Sequence, residues 1–357
     1  MITNFDIDNF RGIKHIEMRG IKPLTIITGK NNAGKSTILE ALFLFNAHSD
    51  PNVFSMLSGL RNGTFEPTYR IWTPLFNAQD TTETIRFAQN YSEENAVTLK
   101  FVKNQDFAVD SYSLAEGDKV ESNLSLKAVP YTLSFEYVEP NYNESGRFTA
   151  TNNGISLDIT TSNVNNERNL MPFTIITQST LPRMEQQVVD WVGKLELMDQ
   201  KEYAIEALRV IDPTIRDVVS ASIDGINQLY VKNYAGTIPL KYAGDGMMRL
   251  LYIVSILLTN KNSLLLFDEI ETGFHYSMYD SLWKLIARYS LKNNNQVIAT
   301  SHSYENIAKS LNGIAEEGRE SDFSLHRIER DADGIHEDKD YGYDKAALAI
   351  KAGLEVR

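Results

Sequence analysis

Apolar and polar residues alternate from the start of the chain: Ile2, Phe5 and Ile7 are set against Asn4, Asp6 and Asp8. That period predicts a strand over residues 2–9. Pro23 then precedes Leu24–Thr28, a short β-branched run that reads as a buried strand. Glycines punctuate the loop from Gly29 to Gly34, and from Lys35 the spacing turns helical, with Ile38, Leu39, Leu42, Phe43 and Phe45 on one wide stripe. The N-terminal pattern is therefore strand, glycine loop, helix.

Residues 50–180 differ. Turn residues are dense (Ser49–Asn52, Asn152–Gly154), and short alternating runs such as Val97–Val102 and Tyr131–Tyr137 predict an antiparallel, β-rich lobe. Asn141–Asn166 reads as a loop or a weak hairpin. Helical spacing returns over 183–211, through Val188, Val192, Leu195, Ile205 and Leu208. Ile223–Val231 suggests a hairpin strand and Met247–Thr259 an apolar helix. Ser263–Phe267 is a second buried strand, Met278–Tyr289 a helix, and Gln296–Thr300 a third strand. Alternating strands and helices imply a mostly parallel sheet covered by helices. No repeat of 20–50 residues and no sustained heptads occur, so no coiled-coil arm is expected.

Gly29-Lys30-Asn31-Asn32-Ala33-Gly34-Lys35-Ser36 fits GxxxxGK[ST], with Thr37 following. Glycines let the backbone curl so that its N–H groups face phosphate oxygens, and the helix N-terminus adds positive potential. Lys35 would reach the β and γ phosphates; Ser36 would ligate Mg²⁺. The apolar run Ser263–Phe267 ends in Asp268-Glu269. Alone this is a strand with a solvated acidic end. Beside a P-loop, Asp268 can hold the metal shell and Glu269 can orient or deprotonate water. Val297–Ser301 ends at His302, whose imidazole could donate to the γ-phosphate and sense its loss. Gly244-Asp245-Gly246 opens the apolar helix, which makes either a capped helix start with Asp245 as N-cap or a second anion site facing another subunit's nucleotide.

Composition narrows the classes. The net charge of −12 argues against a general nucleic-acid coat, which would be basic, without excluding one local basic groove. With no cysteine, disulfides and thiolate chemistry are impossible. The six histidines are scattered and form no zinc spacing. No signal core and no membrane-length apolar run are present, so a cytoplasmic protein with no membrane partner is expected.

Asn9–Ile13, the P-loop, Tyr242–Arg249, Leu265–His275 and Thr300–Ser303 stand in the order found in ABC-type ATPases of the RecF, SMC and OLD group. The chain most resembles the compact OLD-like ATPases of bacterial antiphage defence operons, including the ATPase subunit of the PARIS system. The resemblance covers roughly residues 2–50 and 240–305. It implies an α/β P-loop NTPase with an ABC-type head: a mostly parallel core, an antiparallel β-rich lobe and a small helical lobe. The expected division is a core from 1–50 and 215–357, an inserted lobe at about 51–180 and a helical segment at about 181–214.

The resemblance further implies that two heads sandwich ATP and Mg²⁺ in a homodimer or higher homo-oligomer. Gly244, Asp245 and Gly246 become the signature loop, acting in trans, although no serine stands there as in LSGGQ, so turnover is expected to be slow. Arg11 is expected near the adenine or phosphates. Glu271–His275 becomes the loop crossing the interface, and Gln178 the Q-loop metal ligand. Only 55 residues follow His302, reading as a hairpin (Ser324–Glu329) and a closing helix (Lys345–Ala352), so a Toprim or HNH nuclease is expected as a separate, nearby-encoded effector. A phage-encoded trigger is a candidate partner, and DNA binding stays open. The competing reading is a RecF-like repair or chromosome-maintenance ATPase; a transporter ATPase fits poorly.

Overall fold

In the computed structural model, the described residues are 1–60, 71–89, 97–103, 131–151, 154–162, 170–177, 180, 185–223, 225–331 and 334–357. The element that positions everything else is a sheet of β3 (Leu24–Thr28), β9 (Phe173–Ile176), β13 (Leu264–Phe267), β14 (Gln296–Thr300), β15 (Phe323–Arg330) and β16 (His336–Gly342). Its order is β16-β15-β3-β14-β13-β9, parallel throughout except for the β15–β16 hairpin.

The central strands β3, β13 and β14 are buried along their whole length because both faces are covered. Leu264, Leu266, Ile298 and Ile27 face one core, while Leu265, Phe267, Val297, Ala299, Leu24 and Ile26 face the other. On the first face lie α1 (Lys35–Ala47), α2 (Val53–Gly59) and an antiparallel sheet. On the second lie α3 (Glu185–Leu197), α4 (Lys201–Leu208), α5 (Asp245–Thr259), α6 (Tyr279–Lys292), α7 (Tyr304–Ala315) and α8 (Tyr343–Lys351). Every residue of α1 but Ser36 is buried, the polar Lys35, Thr37, Glu40 and Asn46 included. Buried Gln296 ties the N-terminus to β14, accepting from the Ile2 N–H at 2.8 Å and donating to the Ile2 carbonyl at 2.7 Å.

The antiparallel sheet holds β1 (Asn4–Phe10), β2 (Ile13–Arg19), β4 (Ile85–Gln89), β5 (Val97–Lys103), β6 (Tyr131–Glu139), β7 (Tyr142–Thr151) and β8 (Gly154–Ser162), in the order β2-β1-β4-β5-β6-β7-β8. Its aromatic inner face packs on α1: Phe5 meets Phe45 at 5.7 Å, and Phe45 meets Tyr137 at 6.0 Å. A third sheet is β10 (Asp217–Ile223), β11 (Ile226–Asn233) and β12 (Gly236–Pro239).

Four expectations are redrawn. Asn141–Asn166 contains a full hairpin, β7 paired with β8 from Asn143↔Ser162 to Thr151↔Gly154, not a weak one. Ile223–Val231 spans a turn between two strands instead of forming one. Asp245 is the first residue of α5, and the cap position is Gly244, with no side-chain capping bond. The sheets also do not divide at the expected residue bounds: β1 and β2 join the antiparallel sheet, and β9 joins the parallel one.

Helices α6 and α7 approach closely at Gly313, where an added Cβ would lie 2.3 Å from the Asp280 carbonyl oxygen and 2.8 Å from the Lys284 nitrogen. Gly193, inside α3, has open space around it. Gly313→Ala should therefore destabilise by about 2 kcal/mol, whereas Gly193→Ala should stabilise by roughly 0.5–1 kcal/mol. Urea unfolding of the two variants checks the opposite signs.

Candidate functional site: a phosphate-loop cleft

Strand β3 ends at Thr28, and the chain curls at once. Gly29 takes φ 141°, and its absent Cβ leaves room for the Ile328 carbonyl oxygen, 2.3 Å from where that atom would stand. Asn32 (φ 65°) and Gly34 (φ 96°) bend the loop into α1. Lys35 closes it: its ammonium donates to the carbonyls of Gly29 at 2.7 Å and Lys30 at 2.9 Å. Burial pushes the Lys35 ammonium down to about 8, against the opposing pull of Asp268, Glu269 and Glu271.

The ends of β13 and β14 meet this loop. Ser36 Oγ donates to Asp268 Oδ1 at 3.1 Å, and Thr300 Oγ1 donates to the same oxygen at 2.6 Å. Thr300 Oγ1 in turn accepts the Glu269 N–H at 2.8 Å. Glu269 holds φ 49°, a strained backbone for glutamate. Arg249 supports it, donating from Nη2 to the Glu269 carbonyl at 2.7 Å and the Asp268 carbonyl at 3.3 Å. Burial lowers the Arg249 pKa from its ordinary value, with Glu271, Glu269 and Asp268 opposing. His302 Nε2 lies 3.9 Å from Glu269 Oε1, and the His302 N–H donates to Glu271 Oε1 at 2.7 Å.

Lys35, Ser36, Asp268, Glu269 and His302 border a cleft of about 540 Å³. Arg11, Asn31, Asn32 and Gly34–Thr37 line one side; Asp268, Glu269 and His302 line the other. Arg11, at φ 50°, pairs through Nε with Glu40 Oε2 at 3.1 Å on α1. Gly29 and Lys30 serve through their carbonyls, and Ala33 is buried toward the antiparallel sheet. Gly244, Asp245 and Gly246 do not line the cleft. Gly246 instead packs on the loop after β13, with the Gly273 carbonyl oxygen 2.7 Å from its missing Cβ. Gln178 lies outside the described residues, although Thr177 just before it lines the cleft.

No group of three or more histidines and carboxylates that could cage a metal occurs among the described residues. The Ser36 hydroxyl and Asp268 carboxylate are hard oxygen donors side by side. They fit Mg²⁺, which takes one or two protein ligands and completes its shell with phosphates and water. Sequence reasoning assigned no role to Thr300, Arg249 or Glu40, and read Glu271 only as the start of the loop crossing the interface. Arg249 and Glu40 did carry a signal, each a charge set within an apolar run of its helix.

The family described as an AAA ATPase domain matches residues 1–128. A second AAA-domain family, whose description names the AbiEii toxin of Type IV TA systems, matches residues 189–308. Among curated relatives, an ATP/GTP phosphatase of Helicobacter pylori is 28% identical over 328 residues, 86% of each chain. The DNA replication and repair protein RecF of Nitrosococcus oceani is 37% identical over 62 residues, 17% of each chain. An SMC head bound to the C-winged helix domain of ScpA matches with TM-score 0.54 at 13% identity, over 97% of this chain and 99% of that one. An Smc head with an extended coiled coil, bound to the C-terminal domain of ScpA derived from Pyrococcus furiosus, matches with TM-score 0.51 at 10% identity, over 99% of each.

The fold is that of an ABC-type P-loop ATPase head. Within this fold the P-loop, the acidic end of β13 and the histidine after β14 surround one cleft, with the glycine turn of α5 apart from it.

Lys35 loses its charge as pH rises through about 8, and a bound phosphate favours the charged form. Affinity for ADP, measured without added Mg²⁺, should therefore weaken about tenfold between pH 7 and pH 9. Titrations at the two pH values check this; equal affinities would contradict the burial of the Lys35 charge.

Proposed function

We propose that the chain binds ATP with Mg²⁺ in this cleft and hydrolyses it to ADP and phosphate as one half of a head dimer. The observation that carries the reading is the convergence of Lys35, Ser36, Asp268, Glu269 and His302 on one cleft. The near-full-length likeness to a relative named ATP/GTP phosphatase supports it.

On this reading the loop N–H groups and the start of α1 receive the β and γ phosphates. Lys35 leaves the Gly29 and Lys30 carbonyls to contact them. Ser36 and Asp268 would hold Mg²⁺, which when bound neutralises phosphate charge. Glu269 takes the proton of the attacking water, its strained backbone fixed by Thr300 and Arg249. His302 donates to the γ-phosphate, and Arg11 borders the adenine or phosphates. Gly244–Gly246 complete the site of a second copy, which suits their position away from their own cleft.

The finer proposal is an OLD-like switch subunit of an antiphage defence complex, cytoplasmic, controlling a separate Toprim or HNH effector and answering a phage-encoded trigger. The family description naming the AbiEii toxin supports it. So does the size of the helices: α5, at 15 residues, is the longest among the described residues, leaving no coiled-coil arm there. No helix of the described residues is long and apolar enough to cross a membrane. The second reading, a RecF-like DNA-repair ATPase, is favoured by the 62-residue likeness to RecF.

Glu269→Gln should bind ATP, lose at least about 100-fold in turnover and elute with ATP as a trapped dimer on size exclusion. Undiminished turnover would defeat the assignment of the base. In cells carrying the gene with its neighbours, wild type should reduce phage plating while Lys35→Ala and Glu269→Gln do not. Equal plating in all three and in empty cells would remove the defence role and leave the ATPase reading to the turnover assay.

A further inference from the structure

After α8 the chain reverses. Gly353 takes φ 68°, and the Leu354 N–H donates to the Ala349 carbonyl at 2.9 Å, which ends the helix. Two contacts then fix the course of residues 354–357. Val356 is 1% exposed and belongs to the core cluster that includes Leu24 and Leu325. Arg327 Nη1 donates to the Glu355 carbonyl at 2.5 Å. Arg327 stands opposite Thr28 in the β15–β3 register, one residue before Gly29. The tail is thus fastened at the root of the phosphate loop.

Arg357 emerges from this anchor half exposed, into a second cavity of about 500 Å³ bordered by Gly29, Lys30, Asn31, His302 and Glu355. Asn31 and His302 also line the nucleotide cleft, so the two spaces share those residues. In this state Arg357 Nε pairs with Glu355 Oε1 at 3.3 Å, and both side chains are about half exposed.

We propose that Arg357 reaches the terminal phosphate of a bound nucleoside triphosphate from within the same subunit. The proposal rests on reading the cleft as an ATP site. An ion pair this exposed is weak, so a multiply charged phosphate displaces Glu355 as partner. The planar guanidinium suits two phosphate oxygens at once. The glycine turn at the start of α5 offers no serine hydroxyl to a γ-phosphate. Arg357 supplies a charged donor beside Asn31 and His302, and an arginine acting in cis is an established device for phosphoryl transfer. The tail then responds to the presence of the γ-phosphate and transmits it to β15 through Arg327.

ATP and ADP affinities and steady-state turnover should be compared in wild type, Arg357→Ala, Arg357→Lys and Glu355→Gln. Arg357→Ala should weaken ATP binding about tenfold, leave ADP binding unchanged and lower turnover at least tenfold. Arg357→Lys should restore part of the loss, and Glu355→Gln should tighten ATP binding by freeing the guanidinium. Equal losses for ATP and ADP, unchanged ATP affinity, or faster turnover in Arg357→Ala would each overturn the proposal. A wild type that binds ATP without hydrolysing it would instead defeat the ATPase reading, and the ATP-to-ADP affinity ratio would still decide the role of Arg357.

Discussion

The parallel register of β3, β14 and β13 is the constraint on which the site depends. Thr300 pairs with Ile27, and Phe267 pairs with Ala299. Three strands therefore end at one edge of the sheet, and the residues that follow them emerge together: Gly29, Asp268 and His302. Burial on both faces locks this register, because Leu264 and Leu266 fill one core while Leu265 and Phe267 fill the other. A one-residue slip would exchange those faces and carry Asp268 away from Ser36. The chemistry is thus held by apolar packing that never touches a nucleotide.

Around that edge, short polar contacts convert alignment into geometry. Thr300 links the two strand ends, bonding both Asp268 and the Glu269 backbone. Arg249 then joins α5 to the same turn. Its burial is costly for a guanidinium, and two carbonyls with three nearby carboxylates offset that cost. The consequence is mechanical. The helix that begins at Gly244–Gly246 is tied to the residue proposed as base, so displacing its glycine turn bears on Glu269.

Local chemistry was legible in the sequence. The P-loop, the acidic strand end and His302 each follow an apolar run, and the structure brings their residues to one cleft. What escaped depended on long-range pairing. β9 lies more than 80 residues before β13, and nothing local marks it as part of the parallel sheet. β7 and β8 read as loop or weak hairpin because much of their sequence is polar; their stability comes from the ladder and from buried Phe148 and Ala150. Asp245 looked like a cap by residue type, but the turn needs φ 103° at the cap position, which Gly244 adopts readily. Arg249 was visible as a charge within the apolar run Met247–Leu251; its acceptors, two backbone carbonyls beyond β13, could not be read from the chain.

On the proposed mechanism the P-loop cleft is half of a composite site, completed by the glycine turn of a second copy. Mixing tests it most directly. Lys35→Ala removes the phosphate contact but keeps the turn. Gly244→Glu blocks the turn, with no neighbouring atom to clash but with φ 103° straining any side chain there, and keeps the P-loop. Each variant alone should be inactive. Their equimolar mixture should recover about a quarter of wild-type turnover, because half of random dimers carry one intact composite site of two. A mixture as inactive as its components, or wild-type turnover from Gly244→Glu alone, would contradict the account.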